Sequence, residues 1–244
     1  MIDFHCHFLP GMDDGAETPE IAYEMLCMSA RQGVKAVVAT PHFYPSDESP
    51  EEFLRRRSES LANLKNYSQE ARDKGDTREL PMIFLGAEVY YFPTIGNCGS
   101  IPKLAFGHQH FLLVEPPMAP WSKAMLSEIE LISENFDVTP VIAHADRYMR
   151  ILEDKKIFDL LEERGIPVQV NASFFFRKET ADFAMKKLKA GKICLLGSDA
   201  HDLKYRPPNM ESAVEAVSIK KMKPFFDQMI ADQNKMMNIQ EYFL

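Results

Sequence analysis

The chain carries two histidines one residue apart, His5 and His7, near its start, and a carboxylate and an imidazole in the same arrangement, Asp199 and His201, far downstream. On an extended strand, residues i and i+2 point to the same side, so each pair can present two ligands to one point. Imidazole nitrogen together with carboxylate oxygen suits Zn2+, Mn2+ or Fe2+. His42, Glu88, Glu115, His144 and Asn171 lie between the pairs. Asp13-Asp14 sits between Gly11 and Gly15, just past His7. An Asp-Asp-Gly loop is as readily an Asx turn; nearness to His5 and His7 favours coordination by one of the acids, Asp13 or Asp14. Arg147 follows His144, and Arg206 stands in Tyr205-Arg206-Pro207-Pro208. A guanidinium beside a metal cluster clamps phosphate bidentately, and on spacing alone a surface salt bridge is an equal reading for both.

What would bring these residues together? Apolar runs recur at Ile2–Phe4, Ala36–Ala39, Met82–Leu85, Phe111–Val114, Val138–Ala143, Val168–Val170 and Ile193–Leu196. Continuous Val/Ile/Leu runs suit strands buried on both faces of a parallel sheet. The stretches between them are helical in pattern. Thr18-Pro19-Glu20 supplies a cap, a first-turn proline and an early acid, and Ile21, Met25 and Met28 follow at helical spacing. Trp121–Asn135 and Asp154–Arg164 read similarly, the latter closing on Gly165. Glu51–Glu79, charged with both signs, reads as a solvated helix face. Alternating βα units predict a parallel α/β barrel or sheet. The residues closing the runs are then His5/His7, His42, Glu88, Glu115, His144, Asn171 and Asp199/His201, all on the barrel face where active sites are built. His108 and His110 precede their run and belong to the opposite end, as surface residues. Phe174, Phe175 and Phe176 read first as packing residues, and second as a substrate wall.

Composition narrows the partners. The 244 residues are 45% hydrophobic and 26% charged, which fits one globular domain, and no internal repeat or low-complexity linker divides them. A net charge of −8 gives no electrostatic footprint for nucleic acid or an anionic membrane. No apolar run approaches the roughly 18 residues of a membrane span, and Met-Ile-Asp-Phe-His lacks a leader pattern, so the expected compartment is the cytoplasm. The four cysteines, Cys6, Cys27, Cys98 and Cys194, form no CxxC pair and are expected as reduced thiols. A cysteine-dependent phosphatase places Arg six residues after its Cys. Met12, Gly33, Leu104 and Ala200 occupy those positions here, which excludes that mechanism.

The His-x-His opening, Asp13-Asp14-Gly15, Thr40-Pro41-His42, Gly86-Ala87-Glu88, Ala143-His144-x-x-Arg147-Tyr148 and Ser198-Asp199-x-His201 resemble the polymerase and histidinol phosphatase (PHP) superfamily. Arg31-Gln32-Gly33-Val34, Gly86-Ala87-Glu88-Val89-Tyr90-Tyr91, Thr139-Pro140-Val141-Ile142-Ala143-His144 and Arg206-Pro207-Pro208-x-Met210 make the chain similar to the bacterial protein-tyrosine phosphatases of capsule and exopolysaccharide operons. The match runs in chain order from residue 1 to roughly 215. It implies a single PHP-type metallohydrolase domain over residues 1–244, a distorted seven-stranded (β/α) barrel of TIM-like type with three divalent metal ions at the C-terminal strand ends. Manganese is the first expectation, iron or zinc the others. Carried over, His5, His7, Glu88 and Asp199 hold one ion, with Glu88 bridging to a second completed by His42 and His144. Asp14, Glu115 and His201 serve the third. Arg147 and Arg206 contact phosphate, and Asp199 or His201 lends modest general-acid help. A metal-activated hydroxide is expected to attack phosphorus, on a phosphotyrosine substrate such as the Tyr-rich tail of a bacterial tyrosine kinase. The sequence departs from the family at Cys6, where a small polar residue is usual, and at Ala145-Asp146, where Ile-Glu is usual. Pro120-Trp121 falls in a variable loop, and the segment after Met222 is weakly matched. A histidinol-phosphatase-like enzyme, a two-metal amidohydrolase and a metal-holding regulatory module are the rival readings. The amidohydrolase would commonly want a modified Lys at a mid-chain strand end, where this chain has Glu88 and Glu115.

Overall fold

The structure, a computed structural model, describes residues 1–151 and 156–238. In chain order the elements are β1 (Ile2–Cys6), α1 (Pro19–Arg31), β2 (Ala36–Ala39), β3 (His42–Phe43), α2 (Pro50–Asp73), β4 (Met82–Leu85), β5 (Glu88–Tyr90), β6 (Phe111–Glu115), α3 (Lys123–Asn135), β7 (Thr139–Ile142), α4 (Ala145–Ile151), α5 (Lys156–Glu163), β8 (Gln169–Asn171), α6 (Ala181–Lys189), β9 (Leu195–Gly197), α7 (Met210–Ile219) and α8 (Lys223–Met236). Every ladder between these strands is parallel, as the intervening helices require. Among the described residues three sheets result, ordered β1-β2-β4, β3-β5-β6-β7 and β8-β9. Single parallel bridges link their edges, Ile142 with Val168 and Cys6 with Ala200.

Two of the seven expected runs break, so seven runs give nine strands among the described residues. Pro41 has no N–H to donate and ends the β2 ladder. The chain then starts again as β3, with His42 paired to Glu88. The partner run breaks alongside at Gly86, where an added Cβ would come within 2.6 Å of Phe106 Cδ1. Glu88 N–H donates to Pro41 O at 3.1 Å across the paired breaks. His42 and Glu88 therefore begin short strands; the expectation that they close long ones is corrected.

Alternation along the strands fills two clusters. Phe4, Val38, Phe111, Leu113, Val141 and Leu195 share one. Val37, Ala39, Leu112, Val114, Ile142 and Leu196 belong to the other, with helix residues such as Met25, Leu26, Ile129 and Leu161. Both strand faces are buried, which accounts for the unbroken apolar runs.

The helices start at their caps. Thr18, Ser49 and Ser122 accept from Ile21, Glu52 and Met125 N–H. α3 thus begins at Lys123, two residues after the expected Trp121. α5 closes near Gly165, whose φ of 69° favours glycine; its expected start at Asp154 lies outside the described residues. In α2 the charged surface is interrupted by a buried face of Phe53, Arg57, Ser60 and Leu64. Arg57 is a charge used structurally, donating to Gly86 O at 2.5 Å and so capping the strand break. Among the described residues, no helix is long and apolar enough to cross a membrane.

Candidate metal centre

Glu88, at the start of β5, is the centre of the cluster. Its Oε2 lies 3.1 Å from His5 Nε2, 3.3 Å from His7 Nε2 and 3.2 Å from His42 Nδ1, and its Oε1 lies 2.7 Å from His144 Nε2. The two ring nitrogens of His5 and His7 face each other at 3.0 Å, the convergence expected of an i, i+2 pair. Asp199 Oδ1 stands 3.7 Å from His5 Nε2 and 3.8 Å from His7 Nε2. All of these side chains are buried except His42, which is partly exposed. His144 and Asp199 both adopt positive φ, 33° and 55°, where non-glycine residues are strained. The strained backbone turns each side chain off its strand end into the cluster.

The Asp13-Asp14 pair divides its labour. The Asp13 side chain is only 5% exposed; it accepts at 2.7 Å from His7 Nδ1, and accepts the backbone N–H of His42 and Gly15. It fixes the His7 ring so that Nε2 faces the cluster. Asp14 is 66% exposed, with Oδ1 3.3 Å from His201 Nε2 and 3.7 Å from His42 Nε2.

Gln169 and Asn171 on β8 act in the same way on the other side. Gln169 Oε1 accepts from His5 Nδ1 at 3.0 Å and from His144 N–H at 2.6 Å, and its Nε2 donates to Asn171 Oδ1. Asn171 Nδ2 donates to Asp199 Oδ2 at 2.9 Å, while its N–H is taken by the buried Asp146. One amide pair thus orients groups from β1, β7 and the end of β9. Asn171 was legible as a polar strand end; nothing in the pattern marked Gln169, two residues earlier.

Both flagged arginines reach Asp199. Arg206 Nη2 is 2.7 Å from Oδ1 and Arg147 Nη2 3.2 Å from Oδ2. Asp202 organises the loop that presents Arg206, its Oδ1 accepting the N–H groups of Lys204, Tyr205 and Arg206. Arg147, Arg206, Asp199 and Asn171 line a cavity of about 280 Å³, joined there by Arg177, which spacing did not single out. Phe174 and Phe175 are buried core, and Phe176 is exposed. His108 and His110 are exposed and apart from the centre, as expected.

Protonation follows from this crowding. Burial pulls the His7 imidazole down, but the Asp13 and Glu88 carboxylates outweigh it and hold it at about 10. His144 is likewise raised to about 9 by Glu88 and Glu115 against its burial. His201 goes the other way, to about 3, through burial and the nearby His7 and Arg206 charges. Burial works against ionised Asp199, yet His5, Arg147 and Arg206 keep its carboxyl low.

Do these residues fit metal ions? His42 Nδ1, His144 Nε2, His201 Nε2 and Glu88 Oε1 are buried with no hydrogen-bond partner. Buried polar atoms are normally satisfied, so a set of orphaned nitrogens and oxygens pointing at one another fits cations well. Among the described residues, three groups of donors have ligand atoms within 4.8 Å of one another: His5, His7 and Asp199; His42, Glu88 and Glu115; and His7, Asp14, His42 and His201. The partition differs from the one the resemblance implies. Glu115 stands 3.4 Å from His144 Nε2 and 3.7 Å from His42 Nδ1, whereas Asp14 approaches His42 and His201. Strand order explains it. β6 lies between β5 and β7, so its last residue faces the Glu88 and His144 side.

Comparison with known proteins agrees with this picture. The family described as "Capsular polysaccharide synthesis, CpsB/CapC" matches residues 1–240. The tyrosine-protein phosphatase YwqE of Bacillus subtilis is 26% identical over 222 residues, covering 88% of this chain and 82% of that one. The tyrosine-protein phosphatase CpsB of Streptococcus pneumoniae is 28% identical over 238 residues, 90% of each. A crystal structure from work on these two proteins, described as unique metal-dependent tyrosine phosphatases, superposes with a TM-score of 0.79 at 22% identity. It covers 98% of this chain and 94% of that one, so the fold is shared.

Proposed function

Because the chain belongs to the CpsB/CapC family of capsular polysaccharide synthesis, we propose that it is a metal-dependent protein-tyrosine phosphatase. Its substrate on this reading is a phosphotyrosine protein, such as the tail of a bacterial tyrosine kinase that controls capsule or exopolysaccharide synthesis. The observation that carries the proposal is the junction of two surfaces. A carboxylate set among four imidazoles lies beside a cavity lined by Arg147 and Arg206.

The nine strands occupy seven positions, because β2/β3 and β4/β5 are each one broken run. The bridges at Ile142–Val168 and Cys6–Ala200 support reading them as a closed, distorted seven-stranded barrel, one domain over residues 1–244. Three divalent ions are proposed, manganese first and iron or zinc as alternatives. His5, His7, Asp199 and Glu88 would hold one, Glu88, Glu115 and His144 a second, and Asp14, His42 and His201 the third. Bound there, such ions supply Lewis acidity and a water whose pKa is lowered toward neutrality.

The protein's own groups do the rest. Asp13 and Gln169 keep His7 and His5 in the ligand tautomer. Arg147 and Arg206 meet the non-bridging oxygens of the phosphoryl group and neutralise charge there. His201 and Asp199 are both held deprotonated at neutral pH, and a cation lowers them further. Neither therefore lends the general-acid help that the resemblance implies, and on this reading the leaving group departs as an anion. A phenolate tolerates that far better than an alkoxide. The four cysteines are free thiols, which suits a reducing compartment and supports the cytoplasm.

The test is hydrolysis with and without a chelator, comparing a phosphotyrosine peptide with a phosphoserine peptide and histidinol phosphate. The phosphotyrosine peptide should turn over fastest, and chelation should abolish the activity reversibly. Faster turnover of histidinol phosphate would overturn the substrate assignment, and full activity in metal-free protein would overturn the chemistry.

A further inference from the structure

The 280 Å³ cavity has a third guanidinium besides the two that face Asp199. Arg177 is exposed and, among the described residues, has no carboxylate within ion-pair distance. Its backbone is nevertheless fixed. The N–H donates to Ser173 O at 3.0 Å, and the carbonyl accepts from Thr180 and Ala181 N–H. The side chain is therefore a free cation on a held stem. Tyr205 lines the same cavity from the loop after β9 and is 80% exposed, its ring touched by Lys204 Nζ at 4.9 Å. Asp202, in the same loop, is turned inward onto backbone N–H groups. Asp146 and Asp199 also line the cavity, but both are buried, so the exposed charge at its mouth is that of Arg177, with Lys204 beside the Tyr205 ring.

We infer that Arg177 and Tyr205 form a docking rim for the peptide around the phosphotyrosine, selecting substrates with an acidic residue beside it. The inference rests on the phosphatase reading above. With the phosphoryl group between Arg147 and Arg206, the residues flanking the phosphotyrosine lie at the cavity mouth. There Arg177 meets a carboxylate, and Tyr205 offers an aromatic face to the substrate chain. An exposed ion pair contributes modestly, about 2- to 5-fold in binding. This rim accordingly sets preference among substrates and leaves the chemistry to the buried cluster.

The experiment uses the metal-loaded protein and two phosphotyrosine peptides that differ only in flanking residues, glutamate in one and lysine in the other. Wild type should favour the glutamate peptide in kcat/KM by about 2- to 5-fold. Arg177→Ala should erase most of that ratio and Arg177→Glu should invert it, with the changes falling in KM. Tyr205→Ala should weaken both peptides. An undiminished ratio in Arg177→Ala overturns the inference. So does an equal loss by that variant on para-nitrophenyl phosphate, which would place Arg177 on the phosphoryl group itself. Wild type that cleaves para-nitrophenyl phosphate and neither peptide would defeat the tyrosine-phosphatase reading along with the rim. Peptide turnover without charge preference defeats the rim alone.

Discussion

Glu88 has little choice of protonation state, with four imidazoles around it and burial on every side, and it is held well below the ordinary carboxylate range by His5 and His144. The compensation is that His7 and His144 hold protons to about 10 and about 9 in the metal-free protein. An unperturbed imidazole titrates near ~6.5. These two raised groups therefore stabilise the metal-free fold fully below that value, and the stabilisation is lost as pH rises through 9 to 10. A ligand imidazole must be neutral, so metal binding has to expel these protons. The expected outcome at pH 8 is release of about two protons per filled cluster, with apparent affinity rising as pH is raised. A metal titration in weakly buffered solution with a pH indicator reads this directly. Binding with no proton release would refute the assignment of His7 and His144 as ligands. Most of this set was visible in the sequence because histidine and carboxylate at strand ends are rare without a reason. The separate tasks of Asp13 and Asp14 were not visible, since a turn has no periodicity to say which side chain points inward.

The strands and helices could be read from apolar runs and caps, whereas their interruptions could not be read with equal ease. Pro41 was in plain view, yet only the three-dimensional pairing explains why the opposite run breaks at Gly86 beside Phe106. β8 gives the clearest case of what periodicity hides. It offers no candidate metal ligand, and its buried Gln169 reads in sequence as one more polar residue in a short run. Its value lies in the closeness of its neighbours. A Cβ added at Gly197 would lie 2.5 Å from His5 Cβ, 2.9 Å from His5 N and 3.0 Å from Gln169 Nε2. Gly197 thus lets β9 approach β1 and β8 tightly enough for one amide to orient His5. Gly197→Ala is expected to cost about 1–3 kcal/mol through overpacking, and to lower metal affinity as well because His5 moves. Urea unfolding and metal competition against a chelator measure the two effects. A variant destabilised as expected but with wild-type metal affinity would show that the close approach serves packing alone.

At the scale of the whole molecule, the first strand and the last meet. Asp199 N–H donates to His5 O at 2.7 Å and His7 N–H to Ala200 O at 2.8 Å, and Cys6 and Ala200, bridged there, are 194 residues apart. The donors of the proposed centre come from both sides of this junction, His5 and His7 on one and Asp199 and His201 on the other, with Glu88 facing them from a third strand. A bound cation would cross-link the point where the chain closes on itself, and the unfolded chain holds no such arrangement. Its binding energy is then folding energy. Ligand held at 100 times its Kd adds about 2.7 kcal/mol, and in a domain of this size each kcal/mol shifts Tm by roughly 2–4 °C. Saturating Mn2+ should consequently raise the melting temperature of chelator-treated protein by about 5–10 °C. Glu88→Gln keeps the shape of the side chain and removes the charge, so it should lose most of that rise. The same scan on Arg177→Ala should show a rise close to that of wild type, because that side chain is outside the cluster. If Mn2+, Fe2+ and Zn2+ all leave the wild-type melting temperature unchanged, the buried imidazoles and carboxylates do not hold metal, and the centre proposed here falls.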